Sequence, residues 1–121
     1  MKYLVTTPHR SEYPNPLVLK KGDFLIVGER YQGPEDWDNW IYCSTQEHPG
    51  GWVPEQIIER LPDAGTGRAL QDYSALEMNV DEGDRVQGEK ILNGWCWCQR
   101  PQDGALGWVP VSHLSPLLAE T

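Results

Sequence analysis

The sequence predicts an all-β chain built as two small five-stranded barrels in tandem, and three observations lead there. The first is an internal repeat. Leu17-Val18-Leu19-Lys20-Lys21-Gly22-Asp23 is answered by Met78-Asn79-Val80-Asp81-Glu82-Gly83-Asp84, and Gly51-Trp52-Val53-Pro54 by Gly107-Trp108-Val109-Pro110. Between them, Asn39-Trp40-Ile41-Tyr42-Cys43 is answered by Asn93-Gly94-Trp95-Cys96-Trp97-Cys98. The second is turn density: ten Pro and twelve Gly in 121 residues, with no sustained apolar pattern at helical spacing. The third is a series of short, closely spaced strand-like runs, the pattern of a small closed or partly open barrel.

In chain order, Phe24-Leu25-Ile26-Val27 is an apolar run of strand length, too short for a helix. Trp40 to Cys43 is a second, rich in aromatic and branched residues, and Trp52-Val53 a third. Gly22 and Gly83 lie 61 residues apart, Trp40 and Trp95 55, and Trp52 and Trp108 56. The drop in offset places extra residues in the turn-rich stretch 31–38, as expected of a loop insertion. Pro54 and Pro110 fix φ for a turn, so one tight helical turn is expected at Glu55-Gln56-Ile57 and at Val111-Ser112-His113. Pro62-Asp63-Ala64-Gly65-Thr66-Gly67 has linker chemistry and no apolar anchor. The expected domains are therefore 1–61 and 68–121, joined by 62–67.

Composition narrows the function. The formal net charge is −8, which repels phosphate backbones and anionic lipids and argues against nucleic-acid and membrane partners. No run approaches the length of a membrane span, and the first residues lack a signal-peptide core. Three cysteines at irregular spacing are not a disulfide framework, so a reducing cytoplasm is expected. Cys43 and Cys98 follow Trp40 and Trp95 by the same three residues and are expected to be buried, unpaired and equivalent. A single Cys-x-Cys with no second pair, and His9, His48 and His113 at no ligand spacing, predict no metal site and no cofactor. Ser112 beside His113 does not make a catalytic pair, and no phosphate-binding glycine loop opens a helix. The acidic run Glu35, Asp36 and Asp38 reads as a solvated loop face.

The motifs resemble a family. Ala69-Leu70-Gln71-Asp72-Tyr73 resembles the opening motif of Src-homology-3 domains, Glu77-Met78-Asn79-Val80 with Gly83-Asp84 the acidic and Gly-Asp elements, Trp95 the first Trp of the Trp pair, and Gly107-Trp108-Val109-Pro110 the Gly-Tyr-Ile-Pro element. Four motifs in order over residues 68–117 carry the resemblance. The first half keeps Lys21-Gly22-Asp23, Trp40 and Gly51-Trp52-Val53-Pro54, but Tyr3-Leu4-Val5-Thr6-Thr7-Pro8-His9 does not spell the opening motif. The whole resembles short bacterial proteins with two variant domains of this kind. The resemblance implies an aromatic groove that grips a polyproline-II segment already extended before it docks. It places the second groove at Gln71, Tyr73, Glu77, Trp95, Trp108, Pro110 and His113, and the first at Trp40, Trp52 and Pro54, with Ile57 at its last position and Glu12 and Tyr13 nearby. Gln71 and His113 replace expected tyrosines, and the acidic loop is short.

On a strand, Trp95 and Trp97 share one face and Cys96 and Cys98 the other; small cysteines suit an interior, which turns the tryptophans outward. Trp95, Tyr73, Trp108 and Pro110 are thus expected on one exposed face of the second barrel, with Glu77 at its edge. The expected function is a non-enzymatic binding module for an extended, proline-containing or basic segment of a protein partner, as a monomer or weak dimer. Two weak sites on a short linker would gain from high effective concentration. The alternative is an accessory scaffold protein whose grooves are filled by the neighbouring domain or a second subunit. The partner is not legible in the sequence.

Overall fold

The structure, a computed structural model, describes residues 1–11, 15–33, 39–63 and 65–117. Glu12, Tyr13, Glu35, Asp36 and Asp38 lie outside the described residues. The strands are β1 (Lys2–Val5), β2 (Val18–Leu19), β3 (Phe24–Arg30), β4 (Trp40–Ser44), β5 (Gly51–Pro54), β6 (Ile58–Arg60), β7 (Thr66–Ala69), β8 (Tyr73–Ser74), β9 (Arg85–Leu92), β10 (Trp95–Arg100), β11 (Ala105–Pro110) and β12 (Leu114–Pro116). Among the described residues the only helical elements are 3-10 turns at Glu55–Ile57 and Val111–His113, directly after Pro54 and Pro110 as expected. The all-β class holds, in two five-stranded antiparallel sheets ordered β5-β4-β3-β7-β6 and β11-β10-β9-β1-β12.

The strand orders differ from the expected domain limits. The chain divides into a continuous unit, Asn15–Ala75, and a composite unit, Met1–Pro14 with Leu76–Thr121. Each repeat has given its first strand away. β1 pairs with β9 and β12 of the second repeat, while β7 pairs with β3 and β6 of the first. The boundary read at 62–67 separates repeats in sequence but not folded units. Instead of a linker, the described part of that stretch belongs to a hairpin: Arg60 pairs with Gly67, and the Leu61 N–H donates to the Thr66 carbonyl at 3.2 Å. So short a connection between antiparallel neighbours closes at little entropic cost, and it favours returning β7 to the strand just left.

The exchanged strands make equivalent bonds. The Gly22 N–H donates to the Ala69 carbonyl at 2.7 Å, and the Gly83 N–H to the Val5 carbonyl at 2.8 Å. Both glycines sit at left-handed φ, +92° and +94°, where a residue with a Cβ is strained. The following Asp closes each turn: Asp23 Oδ2 accepts from Lys20 N at 2.8 Å and Asp84 Oδ2 from Asp81 N at 2.9 Å. This local chemistry explains why Gly-Asp recurs in both repeats.

Side-chain size matches each first strand to its host. By register, Tyr3 of β1 and Gly67 of β7 hold the same place, as do Gly88 of β9 and Val27 of β3. In the composite unit the Tyr3 ring lies over Gly88, where an added Cβ would come within 2.5 Å of it. In the continuous unit the pair is inverted: a Cβ on Gly67 would lie 3.0 Å from Ile58 Cγ2 and 3.2 Å from Val27 Cγ2. Tyr3 could not enter that place without displacing Ile58 and Val27, and Gly67 over Gly88 would leave a void.

Each unit has its own apolar core. In the continuous unit Leu17, Leu19, Leu25, Val27, Ile41, Cys43, Val53, Ile57, Ile58 and Ala69 are buried together. In the composite unit the set is Tyr3, Val5, Met78, Val80, Val86, Cys96, Cys98 and Val109. Cys43 and Cys98 are free, buried and equivalent, opposite Gly51 and Gly107 in register. Burial pushes the Cys43 thiol up to about 11. The Cys98 thiol is pushed up by its hydrogen bond with Cys96 and then by burial, while the same bond holds Cys96 down. A thiol reagent at pH 8 should therefore modify Cys43 and Cys98 only as fast as the native units open. Stopped-flow thiol titration checks this, and rapid stoichiometric reaction of both would contradict it.

Candidate functional site

The residues expected to form the grooves fall into two sets, but the partition differs from that read in the sequence. Gln71 and Tyr73 precede the change of unit after Ala75, so they join Trp40, Trp52 and Pro54 in the continuous unit. Glu77, Trp95, Trp108, Pro110 and His113 are held in the composite unit. Tyr73, expected on the same barrel as Trp95 and Trp108, belongs to the other unit, because the exchange carries it away with β7.

In the continuous unit, β8 pairs Tyr73 with Leu19, and the Tyr73 hydroxyl donates to the Trp52 carbonyl at 2.9 Å. Trp52 lies beside Tyr42 across β4 and β5, ring centroids 5.3 Å apart at 79°, and Tyr31 approaches it at 5.3 Å and 81°. These edge-to-face contacts are a favoured aromatic geometry. Tyr31, Tyr42, Trp52 and Tyr73 are all half-buried. Trp40 pairs in register with Pro54; both are buried, as is Ile57, whereas Gln71 is exposed. In the same unit Arg30 clamps Glu55 through its two terminal guanidinium nitrogens, at 2.9 and 2.7 Å, and its hydrogen bond holds the Glu55 carboxyl below the usual range. Tyr31 and Tyr42 were not picked out from the sequence. For Tyr42 a signal existed: it is two residues after Trp40 and thus on the same side of a strand.

In the composite unit, Trp95 is 9% exposed and Trp108 5%, so the expected exposed platform is absent. One physical reason is His9, whose ring lies edge-on to Trp95 with centroids 5.4 Å apart at 78°. Trp108 is flanked by Trp97 at 5.4 Å and 72°. The strand alternation holds only in part: Cys96 and Cys98 are interior and Trp97 is half-buried, but Trp95 is buried too. Pro110 is fully buried opposite Trp95. Glu77 bridges Trp108 in parallel, and its carboxylate accepts from His9 Nε2 at 2.7 Å. His113 lies 5.7 Å from the His9 ring centroid, with its Nδ1 buried and unpartnered among the described residues. His9 was missed because the first repeat does not spell the opening motif, so no residue there announced the position.

No group of three or more His, Cys, Asp or Glu that could hold a metal ion is found among the described residues. No described helix is long and apolar enough to cross a membrane.

Comparison with known proteins bears on the family of the two repeats. The model of a family described as the variant SH3 domain matches the chain twice, over residues 2–61 and 66–117. Over 64 residues, 50% of the chain, the sequence is 34% identical to Myosin-1 of Coccidioides immitis (strain RS), of which it spans 5% of the length. No solved structure matches the chain. Both family matches follow the sequence repeats, and together they cover nearly all of it: the chain belongs to the variant SH3 domain family, of which it carries two copies.

Proposed function

We propose that the chain is a non-enzymatic interaction module that takes an extended, proline-containing segment of a protein partner on the aromatic surface of the continuous unit. SH3 domains are generally protein-interaction modules that bind proline-rich peptides. The observation that carries the reading is the half-buried group Tyr31, Tyr42, Trp52 and Tyr73. Four rings held by one another and by the Tyr73–Trp52 hydrogen bond provide flat apolar area with few rotors left to freeze. A polyproline-II segment also loses little entropy on docking, so a shallow surface suffices.

Calorimetric titration of a synthetic proline-rich peptide bearing one Arg tests it. Trp52→Ala should cost about 2 kcal/mol of binding, the usual effect of removing a central aromatic anchor, while circular dichroism shows the sheets retained. Unchanged affinity in the folded variant would move the site off this surface. A second reading, an accessory scaffold, draws support from the burial of Trp40, Trp95 and Trp108. It predicts no binding of any such peptide by the intact chain.

A further inference from the structure

One of the positions at which the two units differ lies beside a carboxylate and a tryptophan. The shared register of β1 and β7 places His9 in the composite unit where Tyr73 stands in the continuous one: His9 bridges Val80 as Tyr73 pairs with Leu19. Tyr73 hydrogen-bonds a backbone carbonyl and keeps its ring at the half-buried surface. His9 reaches sideways instead. Its Nε2–H donates to the Glu77 carboxylate, with 14% and 15% of the two side chains exposed. Among the described residues the Glu77 carboxylate has no other partner. His113, the other imidazole nearby, makes no hydrogen bond through its Nδ1 among them.

The backbone holds His9 in this role. His9 N donates to the Val80 carbonyl at 3.0 Å and Val80 N to the His9 carbonyl at 2.9 Å. The next two residues tie the same segment down: Arg10 bonds the Val80 carbonyl and pairs with Asp81, and Ser11 N donates to Asn79 Oδ1 at 2.7 Å. The imidazole is therefore preorganised over both groups a basic peptide would need, the carboxylate and the face beside Trp95.

We propose that His9 is the specificity-determining residue of the composite unit: as a built-in occupant of the Glu77 carboxylate and a cover on Trp95, it turns away segments bearing Arg or Lys. A guanidinium would have to break a short hydrogen bond to a carboxylate, the strong kind, before forming its own. The two copies of the domain then differ in what they accept, with His9 covering a carboxylate, Glu77, where the continuous unit has Pro16. The inference shares its probe with the peptide-binding reading of the continuous unit but concerns the other unit.

The test is nitrogen-15 NMR of the full chain titrated with the synthetic proline-rich peptide bearing one Arg, read at the Glu77 amide and the six tryptophan indoles. In the wild type the Glu77, Trp95 and Trp108 signals should stay in place. In His9→Tyr, which copies the residue at the matching position, and in His9→Ala, which opens the same space without a ring to fit, they should shift on titration. Apparent binding at this unit should be roughly tenfold tighter than in the wild type. His9→Gln keeps an N–H donor for Glu77 and should behave as the wild type. Adding Glu77→Gln to His9→Ala should remove most of the gain. Signals of Glu77 and Trp95 that move in the wild type, or that stay still in both folded opening variants, would overturn the inference. Trp52 signals unmoved in every variant would instead overturn the peptide-binding reading of the continuous unit, leaving the His9 result to stand on Glu77 and Trp95.

Discussion

A fragment of residues 15–75 should fold alone, whereas a fragment of residues 1–61 should not reach the same stability. Residues 15–75 contain every strand of the β5-β4-β3-β7-β6 sheet and the β2–β8 pair, together with the whole apolar cluster from Leu17 to Ala69. The fragment 1–61 ends before β7. It loses the neighbour shared by β3 and β6, and the only strand it could put there is β1, whose Tyr3 would meet Val27 and Ile58 where Gly67 fits. Overpacking of a core by a large side chain typically costs about 1–3 kcal/mol, and here it would fall on a unit of some sixty residues with little stability in reserve. Urea unfolding followed by tryptophan fluorescence should show a cooperative transition for 15–75 and a weak or absent one for 1–61. Mixing 1–61 with 66–121 should restore structure, because each supplies the strand the other lacks. Equal stability of 1–61 and 15–75 would mean that each repeat folds on its own first strand.

The second large effect is expected at Tyr3. The residue is 8% exposed and its ring fills the space over Gly88, so Tyr3→Ala leaves a cavity there. Deleting a buried aromatic ring typically costs about 3–5 kcal/mol. The loss should fall on the composite unit although the residue is third in the chain. Hydrogen exchange should accelerate for β9, β10 and β12, with β4 and β5 left protected. The reverse substitution, Gly88→Val, should damage the same unit by expelling the ring. Faster exchange in β4 and β5 after either change would place β1 in the other sheet.

Much of this molecule could be read before its structure, because the features concerned are local. The Gly-Asp turns need a left-handed residue followed by a short carboxylate, a requirement met within four residues at Lys20–Asp23 and again at Asp81–Asp84. Pro54 and Pro110 announce the 3-10 turns by fixing one dihedral. Cys43 and Cys98 are interior because strand alternation and small size agree. The site was less legible. Trp52 and Tyr73 could be named from motif resemblance, but not that Tyr73 would bond Trp52, 21 residues away in neither its own repeat nor its expected domain. Trp95 looked like an exposed platform because alternation says which side of a strand a residue takes and nothing about what covers that side.

By itself the sequence determined the all-β class, two copies of one motif series, the turns, and the interior positions of each repeat. The tertiary structure alone decided which first strand completes which sheet. β1 and β7 present the same backbone edge to the same kind of slot, so hydrogen bonding does not distinguish them. The choice is made by a hairpin too short to favour leaving β6, and by two inverted size pairs, Tyr3 over Gly88 and Gly67 beside Val27. Those four residues stand up to 85 positions apart and become a code only when the register brings them together. The same exchange places His9 on Glu77 and Tyr73 on Trp52, because a strand carries with it the residues that follow it.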